Sequence, residues 1–156
     1  MKAVLLDCAK IESLTAHIYQ QMAGQSGFCD KVRETFARLA EDEREHAAQL
    51  EMVLQFPEEK LDMVKRISWE KVAEGLDKIL AIGRDLESFA SSEEDALKMA
   101  IDLENRFINI HLNNAVHFSE PRVAELFEHL GRGDEAHLCT LKECLTWWHA
   151  NRSSQK

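Results

Sequence analysis

Along most of this chain apolar residues recur in alternating steps of four and three, the period of one face of an α-helix. The clearest run is Val32, Phe36, Leu39, Glu43, His46, Leu50 and Val53. A second run with the same steps is Val123, Phe127, Leu130, Asp134, His137, Leu141, Cys144 and Trp148. Two more are Leu5, Cys8, Glu12, Thr15, Tyr19, Met22 and Leu97, Ile101, Glu104, Ile108, His111, Ala115. Breaks are few. Gly24-Gln25-Ser26-Gly27 reads as a turn, and Phe56-Pro57 ends a periodic stretch. Ser91 and Glu94 have the spacing of a capping box, and Ser119-Glu120-Pro121 marks another helix start. These marks predict long helices near 2–23, 28–55, 92–117 and 120–149. A further amphipathic helix near 68–88, started by Ser68, carries Val72, Leu76, Ile79 and Leu86 and reads as packing only.

The links inside the first and second pairs of long helices are short, so each pair is expected to be an antiparallel hairpin. The link over 57–91 is long enough to cross the bundle. The expected fold is all-α, a four-helix bundle of two hairpins joined by a long crossover that contains the extra helix. A chain of 156 residues suits one domain, taken as 1–156. The net charge of −9 argues against nucleic acid or an anionic membrane surface as the main partner. No secretory signal and no membrane-spanning stretch is visible, so a cytoplasmic setting is expected. Cys8, Cys29, Cys139 and Cys144 form no Cys-x-x-Cys pair, which argues against a zinc knuckle and favours reduced thiols.

Ionisable residues interrupt every apolar seam. Two residues three apart on a helix differ by about 60° and about 4.5 Å of rise. Glu43 with His46, and Asp134 with His137, can therefore each aim a carboxylate and an imidazole at one point. Phe36, Leu39, Glu43 and His46 repeat as Phe127, Leu130, Asp134 and His137 at an offset of 91. Glu12 and Glu104 add a lone acid on each remaining helix. One Glu-x-x-His alone usually marks a solvated face, but two pairs and two lone acids in register on four seams predict a two-metal carboxylate site. Its candidate ligands are Glu12, Glu43, His46, Glu104, Asp134 and His137. Oxygen-rich ligation with one imidazole per metal suits iron, or manganese, better than structural zinc. Gly131-Arg132-Gly133-Asp134 also reads as a turn with Asp134 as a helix cap. In the alternative, the glycines let the short Asp134 come close enough to bind metal. Tyr19, seven residues after Glu12, is placed to hydrogen-bond a ligand carboxylate or simply to fill the core. His111, seven after Glu104, reads as a core or supporting histidine rather than a ligand. Trp147 and Trp148 read as a dimer face or as packing at the bundle end.

Glu12 followed by Tyr19, Leu39-x3-Glu43-Arg44-Glu45-His46 and Ala100-Ile101-x2-Glu104 resemble the rubrerythrin branch of the ferritin-like family over nearly the whole chain. The resemblance implies a di-iron site, dioxygen or hydrogen peroxide as oxidant, and often a homodimer. It makes Glu43 and Asp134 bridging carboxylates, Glu12 and Glu104 the carboxylates of the two halves, and His46 and His137 one imidazole per metal. No rubredoxin-like tail is visible, so an external electron donor is implied. Rubrerythrins usually add an acid three residues after the helix-three glutamate, where this chain has Phe107. The six-residue set is closer to a bacterioferritin-like ferroxidase centre. Arg44 stands where a haem-binding methionine would be, so no haem is expected. The expected activity is an iron-dependent oxidoreductase of ferroxidase or peroxidase type. The alternative is a non-catalytic metal-binding, iron-sensing or storage-related bundle.

Overall fold

The computed structural model describes residues 2–57, 61, 69–115 and 118–153. Its long helices are α1 (Lys2–Ala23), α2 (Asp30–Val53), α5 (Glu93–Ala115) and α6 (Pro121–Ser153). Between the hairpins lie α3 (Trp69–Arg84) and the short α4 (Leu86–Phe89). α1 packs along α2 and α5 along α6, while α2 against α6 joins the two hairpins. α3 lies across α1 and reaches α5. Among the described residues, no helix is long and apolar enough to cross a membrane.

The seams of α1, α2 and α6 are buried as the periodicity requires, from Leu5 to Met22, Val32 to Val53 and Val123 to Trp148. Tyr19, Phe36, Phe107 and Phe127 are among the largest fully buried side chains. Each such apolar ring removed from water contributes about 1.5–3 kcal/mol. On α5 the buried face is rotated from the expected seam. Leu103, Phe107 and Ile110 enter the core, while Ile101 and Ile108 are only half-buried. α3 covers a second side of α5. Gly75 of α3 sits so close to α5 that a Cβ there would lie 2.9 Å from Ile110 Cδ1.

Helix ends follow local chemistry. The turn after α1 is closed by Gly24 N–H to Gln20 O and Phe28 N–H to Gln25 O. The cap of α5 is shifted one residue from expectation. Ser92 Oγ accepts the Asp95 N–H at 3.2 Å, and Glu94 pairs with Lys98 instead. Ser91 and Ser92 both donate to the Asp95 carboxylate. Pro121 opens α6 at the position where its missing N–H costs nothing. The extra helix expected over 68–88 breaks at Asp85, whose backbone leaves the helical region with φ −140° and ψ 57°. Ser68, its expected start, lies outside the described residues.

Glu93, at the start of α5, is buried and joins the two hairpins. Its Oε1 accepts the Cys29 backbone N–H at 2.5 Å, and its Oε2 accepts the Trp148 indole N–H at 2.7 Å. Trp148 thus packs the bundle end, while Trp147 is partly exposed. The four cysteines are unpaired, with Cys8 and Cys144 buried.

Candidate metal centre

Residues 121 to 153 form one continuous helix through Gly131 and Gly133, so Asp134 is not a cap. Its side chain is fully buried. The two glycines adopt no left-handed conformation. They provide clearance instead. A Cβ on Gly131 would lie 2.5 Å from Leu112 Cδ2, and one on Gly133 would lie 2.7 Å from Cε1 of the His46 ring. The glycines therefore admit neighbours on α5 and α2, rather than bending α6 to bring Asp134 forward.

Glu12, Glu43, Glu104 and Asp134 are all fully buried, and His46 and His137 nearly so. All six meet in the middle of the bundle. Glu43 is the centre of the set. Its Oε2 lies 3.2 Å from His46 Nδ1, and its Oε1 lies 3.0 Å from His137 Nδ1. His46 Nδ1 also approaches Glu12 Oε2 at 3.7 Å, and His137 Nδ1 approaches Glu104 Oε2 at 3.6 Å. On its outer side His137 Nε2 meets Asp42 Oδ2 at 3.4 Å, an orienting contact of the kind that fixes metal-binding imidazoles. Two groups of donor atoms fall within 4.8 Å of one another: Glu43, Glu104, Asp134 and His137, and Glu12, Glu43 and His46.

Tyr19 donates its hydroxyl to Glu104 Oε1 at 2.6 Å, so it supports a cluster carboxylate from the other hairpin. His111 matters more than its sequence position suggested. It is buried, with Nε2 3.0 Å from Glu12 Oε1 and Nδ1 2.6 Å from Asp134 Oδ2. The signal was present in the repeat. Tyr19 follows Glu12 by seven residues and reaches Glu104, and His111 follows Glu104 by seven and reaches Glu12. Asp42 and the Gly133 contact had no comparable sequence signal.

The electrostatics are those of crowded acids. Burial, with Glu12 and Glu104 beside it, raises Glu43 well above the carboxylate range. Burial likewise raises Glu104 and Asp134. Burial also pushes Glu12 up, but His111, Glu43 and His46 outweigh it and hold Glu12 low. Burial lowers the imidazoles, yet the carboxylates beside them win. His46 rises to about 10 through Glu12 and Glu43, and His137 to about 11 through Glu104 and Glu43. Asp134 and Glu12 raise His111 well above its usual value against its burial. Tyr19 is raised by burial and by Glu104. The imidazoles therefore hold protons among the acids, and a cation binding here must displace them.

Whether these residues fit a metal can be judged from what they leave unpaired. Both oxygens of Glu12, Glu43 Oε1, Glu104 Oε2, Asp134 Oδ1 and His137 Nδ1 are buried without a properly directed hydrogen bond. Among the described residues only Gln49 Oε1 joins them. Each such atom costs about 1–3 kcal/mol, more when charged. A cluster of buried polar atoms left unpaired in one place fits a cation once the protons leave, and four ionised carboxylates balance two divalent ions. The set can hold metal.

A hollow of about 580 Å³ opens on the outer face of α2 and α6, with His46, His129, Gly133 and His137 in its wall. A larger hollow of about 920 Å³ beside Gly24, Phe28 and Ser91 contains none of the cluster's donors.

Fold and cluster together define a ferritin-like helical bundle with a buried carboxylate–histidine site that can hold metal. Compared with known protein families, residues 4–145 match rubrerythrin, and the chain belongs to that family. No curated protein and no solved structure matches it.

Proposed function

We propose that this protein is a non-haem di-iron oxidoreductase that reacts ferrous iron with dioxygen or hydrogen peroxide. The observation that carries the reading is Glu43, whose two carboxylate oxygens each face one histidine of the Glu-x-x-His and Asp-x-x-His pairs. That is the disposition expected of a carboxylate shared between two cations. In this reading Glu12 and His46 complete one side, and Glu104, Asp134 and His137 the other. Two ferrous ions, when bound, would supply the electrons for reduction of the oxidant. The chain's own residues hold that charge in a dry core and fix the imidazoles. Tyr19 keeps Glu104 oriented, and Asp42 does the same for His137. The hollow lined by His46 and His137 offers small oxidants an approach from solvent. Phe107, fully buried, occupies the place of a further acid, which favours ferroxidase-like over fast peroxidase chemistry. The unpaired cysteines fit a cytoplasmic setting.

The test is to add ferrous iron to metal-free protein, first anaerobically and then with air or peroxide. About two iron per chain, near-ultraviolet ferric absorbance and repeated consumption of oxidant are expected. Stoichiometric binding without turnover would favour the sensing or storage reading, and absence of binding would remove the metal reading altogether.

A further inference from the structure

The internal repeat places Tyr19 and His111 at equivalent positions, yet they do different work. Tyr19 has one polar atom and touches one acid, Glu104. His111 has two and spans two acids from different hairpins, Glu12 on α1 and Asp134 on α6. With Oδ2 of Asp134 held by His111, its unpaired oxygen is Oδ1. Asp134 then joins the group of Glu43, Glu104 and His137, while the group of Glu12, Glu43 and His46 lacks it. The two halves of a nearly symmetric site are left with four donors and three.

We propose that His111 is a positioning residue that makes the two metal sites unequal, by holding Asp134 to one side instead of letting it bridge. The four-donor site fills first and holds its ion firmly. The three-donor site, short one protein ligand, is the weaker and more open one, with coordination left for water or an exogenous ligand. This inference rests on the paired-metal reading above and replaces the bridging role that the family resemblance implied for Asp134. It also gives an ordered filling that the ligand identities alone do not require.

The experiment is an anaerobic titration of the metal-free protein with cobalt(II) alone, followed by calorimetry and by the visible cobalt bands, which report coordination. The wild-type protein is expected to bind in two steps separated by about tenfold or more, the scale on which supporting contacts alter metal affinity. His111→Gln has one amide NH2 group in place of two ring nitrogens on opposite sides, so it cannot span Glu12 and Asp134 as the imidazole does, and is expected to narrow the separation. His111→Phe is expected to narrow it further by freeing Asp134. Circular dichroism checks that each variant folds. Two equal sites in the wild type, or full separation retained in both His111→Gln and His111→Phe, overturns the inference and leaves the paired-metal reading standing. The first outcome does not depend on either variant folding. Absence of any binding overturns both.

Discussion

Replacing Gly133 with alanine tests the site through a single methyl group. That Cβ would lie 2.7 Å from Cε1 and 2.8 Å from Nε2 of His46. Carbon atoms in contact prefer about 3.5–4.0 Å, so the ring must retreat by roughly 0.8 Å or more. It has little freedom to do so. Its Nδ1 is 3.2 Å from Glu43 Oε2, and the ring is stacked with His137 at a centroid distance of 5.4 Å. Forced overpacking costs about 1–3 kcal/mol, and alanine in a helix interior returns about 0.5–1 kcal/mol relative to glycine. The metal-free variant is therefore expected to be between neutral and about 2.5 kcal/mol less stable than the wild type by denaturant unfolding. The effect on metal should be larger, because the displaced imidazole is a candidate ligand. Affinity is expected to fall about 10–100-fold, read by the same cobalt titration. Gly131→Ala is the control. Its Cβ also makes a close contact, but with Leu112, a partly exposed aliphatic side chain that is not a candidate ligand. If Gly133→Ala binds metal as tightly as the wild type, or if Gly131→Ala loses as much affinity, the clearance argument fails.

Three further outcomes are expected. Tyr19→Phe strips Glu104 Oε1 of its 2.6 Å donor and is expected to destabilise the metal-free protein by about 1–3 kcal/mol in chemical denaturation; no loss would show that the carboxylate finds another partner. Asp134→Asn is expected to lower metal stoichiometry by elemental analysis, and an unchanged ratio would remove Asp134 from the ligand set. His46 and His137, raised from 6.5 to about 10 and about 11, contribute stability that is complete below 6.5 and lost as pH rises through those values. Glu43, Glu104 and Asp134, also raised, act in the same direction from the ordinary carboxylate range upward. In chelator the melting temperature is therefore expected to fall as pH increases between about 6.5 and 10, while metal affinity rises as protons leave. A flat or rising melting temperature in chelator would contradict the assigned proton positions.

The sequence made the bundle legible because its core is written in one period. In α2 every seam residue is buried. In α5 the buried face turned toward Leu103, Phe107 and Ile110, and the period alone misplaced Ile101 and Ile108. The six candidate ligands were legible because acids on apolar seams are costly enough to demand a reason. The role of His111 was half-legible: its register matched Tyr19, but only the packing showed that it reaches two acids. Gly133 could not be read, since the ring it admits belongs to another helix 87 positions away. Two glycines in four residues look locally like a turn, and packing against α2 and α5 outweighs that local preference.

The Glu93 contact has a consequence for how the halves find each other. Two hairpins that repeat one pattern also resemble the like hairpin of another copy, with which each could pair. Glu93, Cys29 and Trp148 do not follow the repeat, since an offset of 91 sets them against Lys2, Glu120 and Pro57. The helix start at Cys29 has no side-chain cap of its own, and only the opposite hairpin supplies the carboxylate that accepts its N–H. A first hairpin meeting its own copy would leave that amide unanswered, and a second would leave the Glu93 carboxylate without it. One off-pattern acid thus gives the assembly a direction, and selects the unlike pairing that brings Glu12 and Glu43 against Glu104 and Asp134.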